Sequence, residues 1–326
     1  MQYSNLGLGG SLVSEVGLGC MGMSDFYGPA DRTTSIATLH AALDAGITLL
    51  DTGDFYGMGH NEMLLAEALK GRRDKVFLGV KFGPLRGPEG GWYGMGTTPP
   101  LVKTFLNYSL KRLGTDYIDL YQPARLDPRI PIEETVGAIA EMVKAGFVRH
   151  IGLSEVGPET IRKAHAIHPI CAVQLEYSLI ERGIERQLLA TCRELGIAIT
   201  VYGVLSRGLL SGKIRTVPSD GRAMMPRFHD ANLSQNLRIV DAIATIGAKR
   251  GATCAQIAMA WVKSRGNDIF PLIGARTRDQ LNESLGAMDL LLTAEDLALI
   301  EAAAPVGAAA GTRYDSRQMA MLDSER

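Results

Sequence analysis

The sequence lacks an excess of charge of either sign. Its 34 lysine and arginine residues nearly balance 35 acidic residues, and a formal net charge of -1 gives no reason to expect nucleic acid or an anionic membrane as a partner. Hydrophobic residues make up 46% and charged residues 21% of the chain, a composition too polar for a membrane protein. The first residues also lack a basic segment followed by an apolar one, so we expect no secretory signal and a cytoplasmic location.

Cysteine is scarce. The four cysteines are far apart, with no Cys-x-x-Cys pair and no nearby histidine, so nothing suggests zinc and no metal is expected. Three of them lie in apolar or helical-looking sequence, which predicts buried, reduced thiols. The cysteines are Cys20, Cys171, Cys192 and Cys254.

A glycine-rich dinucleotide-binding pattern is also missing. No Gly-x-Gly-x-x-Gly lies between a strand and a helix, which argues against the competing fold, an open doubly wound sheet. Instead, apolar runs of strand length recur eight times, each followed by a stretch with helical spacing, and eight such units close a (β/α)8 TIM barrel. We therefore expect one barrel domain over residues 1–326, with residues 2–16 forming a β-hairpin that closes its bottom. The predicted strands are 16–20, 48–51, 76–81, 117–122, 150–154, 172–175, 198–202 and 269–273.

Two of these strands end at ionisable residues. Asp51 ends the second, Lys81 ends the third, and Tyr56 follows Asp51 by five residues. A tyrosine has a reference pKa of about 10, so it protonates a substrate oxygen efficiently at neutral pH only if neighbours lower that value. A lysine ammonium does so by stabilising the phenolate, and a carboxylate keeps the lysine charged. The three residues together indicate an acid relay.

Other polar residues also fall at strand ends, where a barrel carries its chemistry. We place Arg125, Ser154, Gln174 and Tyr202 there. The long connection 203–233 is expected to be a lid or a cofactor clamp, although a passive surface loop is the alternative. The loop 83–98, which contains Trp92, is a candidate pocket wall, and the tail after residue 309 is expected to be mobile.

The stretch Asp51-Thr-Gly-Asp-Phe-Tyr56-Gly and the strand-terminal Lys81 resemble the aldo-keto reductases, and the likeness runs from Gly19 to Ser284. The resemblance implies reduction of aldehydes or ketones with NADPH on a barrel. It makes Tyr56 the proton donor, Lys81 the residue that lowers its pKa, and Asp51 the partner of Lys81.

The same resemblance implies a cofactor site. Ser154 and Gln174 would hold the nicotinamide carboxamide, with Glu155 where many members have asparagine, and Tyr202 would stack on the ring. Arg276 would bind the 2'-phosphate, because a guanidinium matches a phosphate dianion in charge and geometry. The further residues assigned to the cofactor are Leu205, Arg207, Gly208, Lys213, Gly274, Gln280, Glu283 and Ser284.

The sequence departs from the family at the fourth strand. Where most members have histidine in a Gln-His-Arg setting, this chain has Gln122-Pro-Ala124-Arg125. An alanine removes one donor to the carbonyl oxygen, and losing such a donor costs roughly 3 to 4 kcal/mol in the transition state. Three consequences of the alanine stay open. The reaction is slower, or the vacated space admits a bulkier substrate or a water, or Gln122 or Arg125 supplies the polar contact instead. The substrate pocket is assigned to Met23, Trp92, Ala124 and Arg125.

The expected function is NADPH-dependent reduction of aldehydes or activated ketones to alcohols, with a small carbonyl compound as the substrate. The missing histidine motivates an alternative, in which an NADPH-binding sensor of the same fold turns over little or no substrate. A lysine Schiff-base lyase using Lys81 is a second alternative.

Overall fold

The computed structural model describes residues 1–326. It contains twelve strands, of which eight form a closed barrel and four form two short antiparallel hairpins. The strands are β1 (Tyr3–Asn5), β2 (Leu12–Ser14), β3 (Gly17–Gly19), β4 (Leu49–Gly53), β5 (Phe77–Phe82), β6 (Pro84–Arg86), β7 (Trp92–Met95), β8 (Ile118–Pro123), β9 (Val148–Ser154), β10 (Ile170–Glu176), β11 (Ala198–Tyr202) and β12 (Ile269–Gly274).

The barrel is parallel throughout. Its strands follow the chain around the ring as β3, β4, β5, β8, β9, β10, β11 and β12, and β12 pairs with β3 to close it. The predicted (β/α)8 barrel is therefore confirmed. In this order β8 lies across the barrel from β12. The loops that follow these two strands therefore face each other at the end of the barrel where the strands terminate, which we call the mouth.

Helices connect the strands along the outside. They are α1 (Arg32–Asp44), α2 (His60–Ala68), α3 (Pro99–Leu113), α4 (Ile132–Lys144), α5 (Pro158–Ile167), α6 (Leu188–Glu194), α7 (Asp230–Lys249), α8 (Cys254–Lys263), α9 (Arg278–Leu285), α10 (Ala294–Ala303) and α11 (Ser316–Met319). The sequence sets their ends. A capping box of Thr253 and Gln256 starts α8, and Gly114 ends α3 in the left-handed conformation, with φ of 63°. No helix is both long and apolar enough to cross a bilayer.

The N-terminal hairpin closes one end of the barrel, as the sequence predicted. β1 and β2 pair antiparallel, and Leu6 and Val13 are fully buried. They belong to a separate apolar cluster with residues at the starts of the barrel strands, among them Leu49, Phe77 and Phe270. Burial of these side chains seals the bottom, so the open end is the one where the parallel strands terminate.

Candidate active site

A buried ion pair lies at the open end of the barrel. β4 and β5 are neighbours in register, which brings Asp51 and Lys81 together from adjacent strand ends. The Lys81 Nζ donates to Asp51 Oδ1, and Gln174 Nε2 donates to Asp51 Oδ2 at 2.8 Å. Both charged side chains are almost fully buried. A buried charge pair persists only when its remaining hydrogen bonds are made, and Gln174 supplies one of them.

Tyr56 lies beside this pair. It follows β4 in a tight turn in which Gly57 and Met58 both have positive φ, 55° and 53°. The Lys81 Nζ lies 5.2 Å from the centroid of the Tyr56 ring, and the Phe55 ring packs edge-on against it at 4.7 Å. The structure thus assembles the three residues that the sequence singled out as an acid relay.

The pKa of Tyr56 differs in direction from the sequence-based expectation. Burial, and then the charge of Asp51, raises the pKa of Tyr56 well above its ordinary value, while the guanidinium of Arg125 acts to lower it. Burial lowers the pKa of Lys81, and Asp51 opposes that change. Desolvation of Tyr56 outweighs the effect of the Arg125 charge on its pKa, so Tyr56 holds its proton at neutral pH.

Gln122, Ala124 and Arg125 lie at or just after the end of β8, the fourth barrel strand. Ala124 is buried, and its backbone N–H donates to Phe82 O at 2.9 Å. Gln122 is fully buried, and neither polar atom of its amide has a hydrogen-bond partner. The Arg125 guanidinium folds back, so that Nη1 donates to Ala124 O at 2.6 Å and Nη2 to the Tyr314 hydroxyl at 3.3 Å.

The predicted nicotinamide-binding residues are at neighbouring strand ends. Ser154 ends β9, and its buried hydroxyl has no partner. Gln174 on β10 is committed to Asp51 rather than free. Tyr202 ends β11, and its hydroxyl donates to Glu155 Oε1 at 2.9 Å and pairs with the Tyr314 hydroxyl at 2.9 Å.

The loop after β11 forms a tight, left-handed turn. Ser206, Arg207 and Gly208 all have positive φ, and the backbone N–H groups of Ser206 and Gly208 donate to the carbonyl oxygens of Gly203 at 2.6 Å and Leu205 at 2.9 Å. The Ser206 hydroxyl is buried without a partner. Leu205 precedes this turn and Lys213 follows it.

Two cations of this loop already have carboxylate partners. Arg207 donates to both oxygens of Glu176, at 3.0 and 3.2 Å. Lys213 Nζ lies 2.6 Å from Glu283, so two residues assigned to the cofactor form an ion pair with each other here.

The segment after β12 is arranged differently. The Arg276 guanidinium donates to the carbonyl oxygens of Tyr27, at 2.8 Å, and Pro29, at 3.4 Å, and it has no carboxylate partner. Gly274 is exposed at the strand end, and the Gln280 amide oxygen accepts from the Arg276 backbone N–H at 2.8 Å. Ser284 is buried in α9.

Two assigned pocket residues have different surroundings. Met23 is buried in the main core, behind the end of β3. Trp92 is 58% exposed on the β6–β7 hairpin, with Arg86 4.3 Å over its ring and the Phe55 ring 6.1 Å away, so only Phe55 lies between it and Tyr56 in this chain of ring contacts.

The C-terminal tail is part of the site, and the sequence-based expectation of a mobile tail is wrong for this structure. Arg313 is buried, and its guanidinium donates to both oxygens of Glu155, at 2.6 and 2.9 Å. Glu155 is fully buried and has φ of 54°, a left-handed conformation that is uncommon for residues other than glycine. Burial raises the pKa of Glu155, but the charge and hydrogen bonds of Arg313 outweigh it and hold that pKa at about 2. No sequence pattern marks Arg313 or Tyr314 as site residues.

The donors at the mouth fit a nicotinamide nucleotide. Unpaired buried hydroxyls at Ser154 and Ser206 suit amide and phosphate groups, and Arg276 suits a phosphate because no carboxylate neutralises it. No group of three or more His, Cys, Asp or Glu side chains is placed to hold a metal ion. All four cysteines are buried and unbonded to one another.

A (β/α)8 barrel with buried Asp, Lys and Tyr at its open end defines a class of barrel oxidoreductases, and comparisons with known proteins agree. The model of the Aldo/keto reductase family matches residues 15–305. A curated relative, "Probable aldo-keto reductase 1" from Glycine max, is 42% identical over 321 residues, covering 96% of this chain and 92% of the relative. The chain belongs to the aldo/keto reductase family, and this membership supports a carbonyl-reducing oxidoreductase.

Solved structures give the same result. The glycerol dehydrogenase from Gluconobacter oxydans is 28% identical, with a TM-score of 0.84 over 92% of this chain and 94% of that one. An aldo-keto reductase from Bacillus halodurans, in its holo form, is 29% identical, with a TM-score of 0.79 over 98% and 99% of the two chains.

Proposed function

We propose that this protein reduces aldehydes or activated ketones to alcohols with NADPH, and that Tyr56 donates the proton. The observation that carries the proposal is the buried Asp51–Lys81 ion pair, which lies against the ring of Tyr56. A cation beneath a tyrosine stabilises the phenolate that remains after proton transfer. A carboxylate fixed by Gln174 keeps that cation in position.

Tyr56 holds its proton at neutral pH, as a general acid must, although its raised pKa makes it a weaker acid than an unperturbed tyrosine. A general acid must hold its proton until the substrate oxygen becomes basic, and the alkoxide that develops during reduction is a strong base. Lys81 and Arg125 then stabilise the phenolate as it forms. Proton transfer is thereby coupled to reduction of the carbonyl and does not precede it.

The cofactor assignment rests on Ser154, Tyr202 and Arg276. When bound, NADPH supplies the hydride. Ser154 offers an unpaired hydroxyl to an amide, and Tyr202 offers a ring face at a strand end. Arg276 offers a guanidinium without a carboxylate partner, which favours the 2'-phosphate of NADPH over the hydroxyl of NADH.

The first experiment measures NADPH binding by cofactor fluorescence and then NADPH oxidation with a panel of aldehydes and activated ketones. Binding with turnover supports the reductase. Binding without turnover across the panel refutes it and supports the NADPH-binding sensor, which Ala124 motivates. Absence of binding refutes both.

The Schiff-base alternative is less favoured because Asp51 holds Lys81 as an ammonium. Borohydride trapping of a carbonyl substrate on Lys81 tests that alternative, and we expect none to be trapped.

A further inference from the structure

Arg125 differs from the other arginines that meet over the barrel mouth. Arg207 pairs with Glu176, Arg227 with Glu181 at 2.5 Å, and Arg313 with Glu155. Arg125 forms no ion pair: its guanidinium donates to two neutral oxygens and lies 5.9 Å from the centroid of the Tyr314 ring. Glu155 acts on Arg125 only through its charge, because Arg313 donates to both Glu155 oxygens, so Arg125 lacks a carboxylate at hydrogen-bond distance.

One edge of the Arg125 guanidinium is open. Nη1 is used by the carbonyl of Ala124, whereas Nη2 makes a single long bond to the Tyr314 hydroxyl at 3.3 Å, and Nε makes none. The Nε–Nη2 edge of a guanidinium matches the two oxygens of a carboxylate. The Tyr314 hydroxyl holds Arg125 only weakly and has an alternative partner in Tyr202, at 2.9 Å.

The position of Arg125 points to the substrate rather than to the cofactor phosphates. Arg125 follows β8, directly across the barrel from β12, whose end leads into Arg276. Its charge acts on Tyr56, the residue proposed to donate a proton to the substrate oxygen. An anion bound here would belong to the same molecule as the reacting carbonyl.

We propose that Arg125 binds a carboxylate of the substrate, and that the preferred substrates are aldehydes or ketones that carry a carboxylate. The inference rests on the proposed reductase function and names its substrate class. The carboxylate completes the open guanidinium edge, supplies the missing counter-ion and orients the carbonyl toward Tyr56. This binding compensates in part for the donor that Ala124 lacks.

The first test compares 2-, 3- and 4-carboxybenzaldehyde with their methyl esters as substrates of the wild type. A methyl ester withdraws electrons from the aldehyde more strongly than a carboxylate does, so the intrinsic reactivity of the carbonyl group favours the esters. We expect at least one acid to exceed its ester in kcat/KM by roughly 10- to 100-fold, mainly through KM, as a charge-assisted pair predicts. If each ester has a kcat/KM equal to or above that of its acid, the inference is overturned and the reductase function stands.

The second test uses variants. Arg125→Met is expected to abolish the preference for the acid, and Arg125→Lys to retain part of it, because lysine keeps the charge but not the planar fork. Arg238→Met is the matched control, since Arg238 is exposed on α7. An acid preference that survives Arg125→Met would contradict the assignment.

A third readout does not depend on turnover. Calorimetric titration of benzoate, with and without NADP+, should show binding to the wild type and to Arg238→Met, and at least tenfold weaker binding to Arg125→Met. Arg125-dependent binding in a protein that reduces no carbonyl compound would support the anion site while refuting the reductase function. Absence of benzoate binding to the wild type in both conditions would overturn the site.

Discussion

Replacing Arg313 with methionine tests whether the tail is held by buried charge. In the folded protein Arg313 contacts both oxygens of Glu155 and lies 3.4 Å from Glu176. Removing one partner of a buried pair leaves the other charge uncompensated, which costs about 3 to 5 kcal/mol. That is a large fraction of the 5 to 15 kcal/mol by which ordinary domains are stable. We expect Arg313→Met to lower the free energy of unfolding by about this amount at neutral pH.

The loss of unfolding free energy in Arg313→Met should also depend on pH. In the wild type the pKa of Glu155 is about 2, below its ordinary value of 4.5, so its stabilising contribution is full above 4.5 and is lost as the pH falls toward 2. Without Arg313, burial is the largest single influence left, so we expect the pKa of Glu155 to rise well above its wild-type value. Protonation then relieves the buried charge, so the deficit of the variant should be smaller at pH 5 than at pH 7.5.

The assay is urea unfolding of the wild type, Arg313→Met and Arg317→Met at the two pH values, with m-values compared. Arg317 is exposed on α11, so its variant should differ from the wild type by less than about 0.5 kcal/mol. A deficit of Arg313→Met below about 1 kcal/mol at pH 7.5, or one that grows on acidification, would refute the reasoning.

Three further predictions concern the mouth and the thiols. Ala124→His should restore a donor to the carbonyl oxygen and raise kcat for neutral aldehydes by roughly 100- to 1000-fold, whereas Ala124→Leu, of similar bulk, should not; equal effects of the two would contradict this. Arg276→Met should raise the KM for NADPH by roughly 10- to 100-fold in steady-state assays with little change for NADH, and a parallel rise for both would remove the 2'-phosphate assignment. Burial raises the pKa of every cysteine thiol to about 12, so Ellman's reagent should leave the native protein unlabelled and modify four thiols in urea; rapid native labelling would show that a thiol is accessible.

The part of the site that lies on strand ends could be predicted from the sequence. Parallel strands deliver their last residues to one end of a barrel, so apolar runs ending at Asp51 and Lys81 already place the two side chains together. The spacing of apolar residues in the helices, and the glycines that follow several of them, likewise indicate the eight strand-and-helix units of the barrel. Each of these signals is local, and each is repeated along the chain.

The tail and the pairing of charges could not be predicted in this way. Arg313 meets Glu155 across 158 residues of sequence, and the tail contains no apolar period that would indicate packing. From the sequence, Arg207 could contact either a phosphate or Glu176. Which of them it contacts depends on the left-handed turn at residues 206–208, which the sequence does not predict. The pKa direction of Tyr56 also depends on burial, which is a property of the assembled mouth.

The central claim is that Tyr56 protonates the substrate oxygen. The most direct measurement is single-turnover NADPH oxidation with saturating aldehyde for the wild type, Tyr56→Phe and Tyr108→Phe, with Tyr108 as a control because it is 52% exposed. We expect unchanged cofactor fluorescence in all three proteins and a loss of at least about 100-fold in rate for Tyr56→Phe alone, since general acids contribute about 10²- to 10⁴-fold to a rate. Carbonyl reduction at the wild-type rate by Tyr56→Phe would contradict the claim.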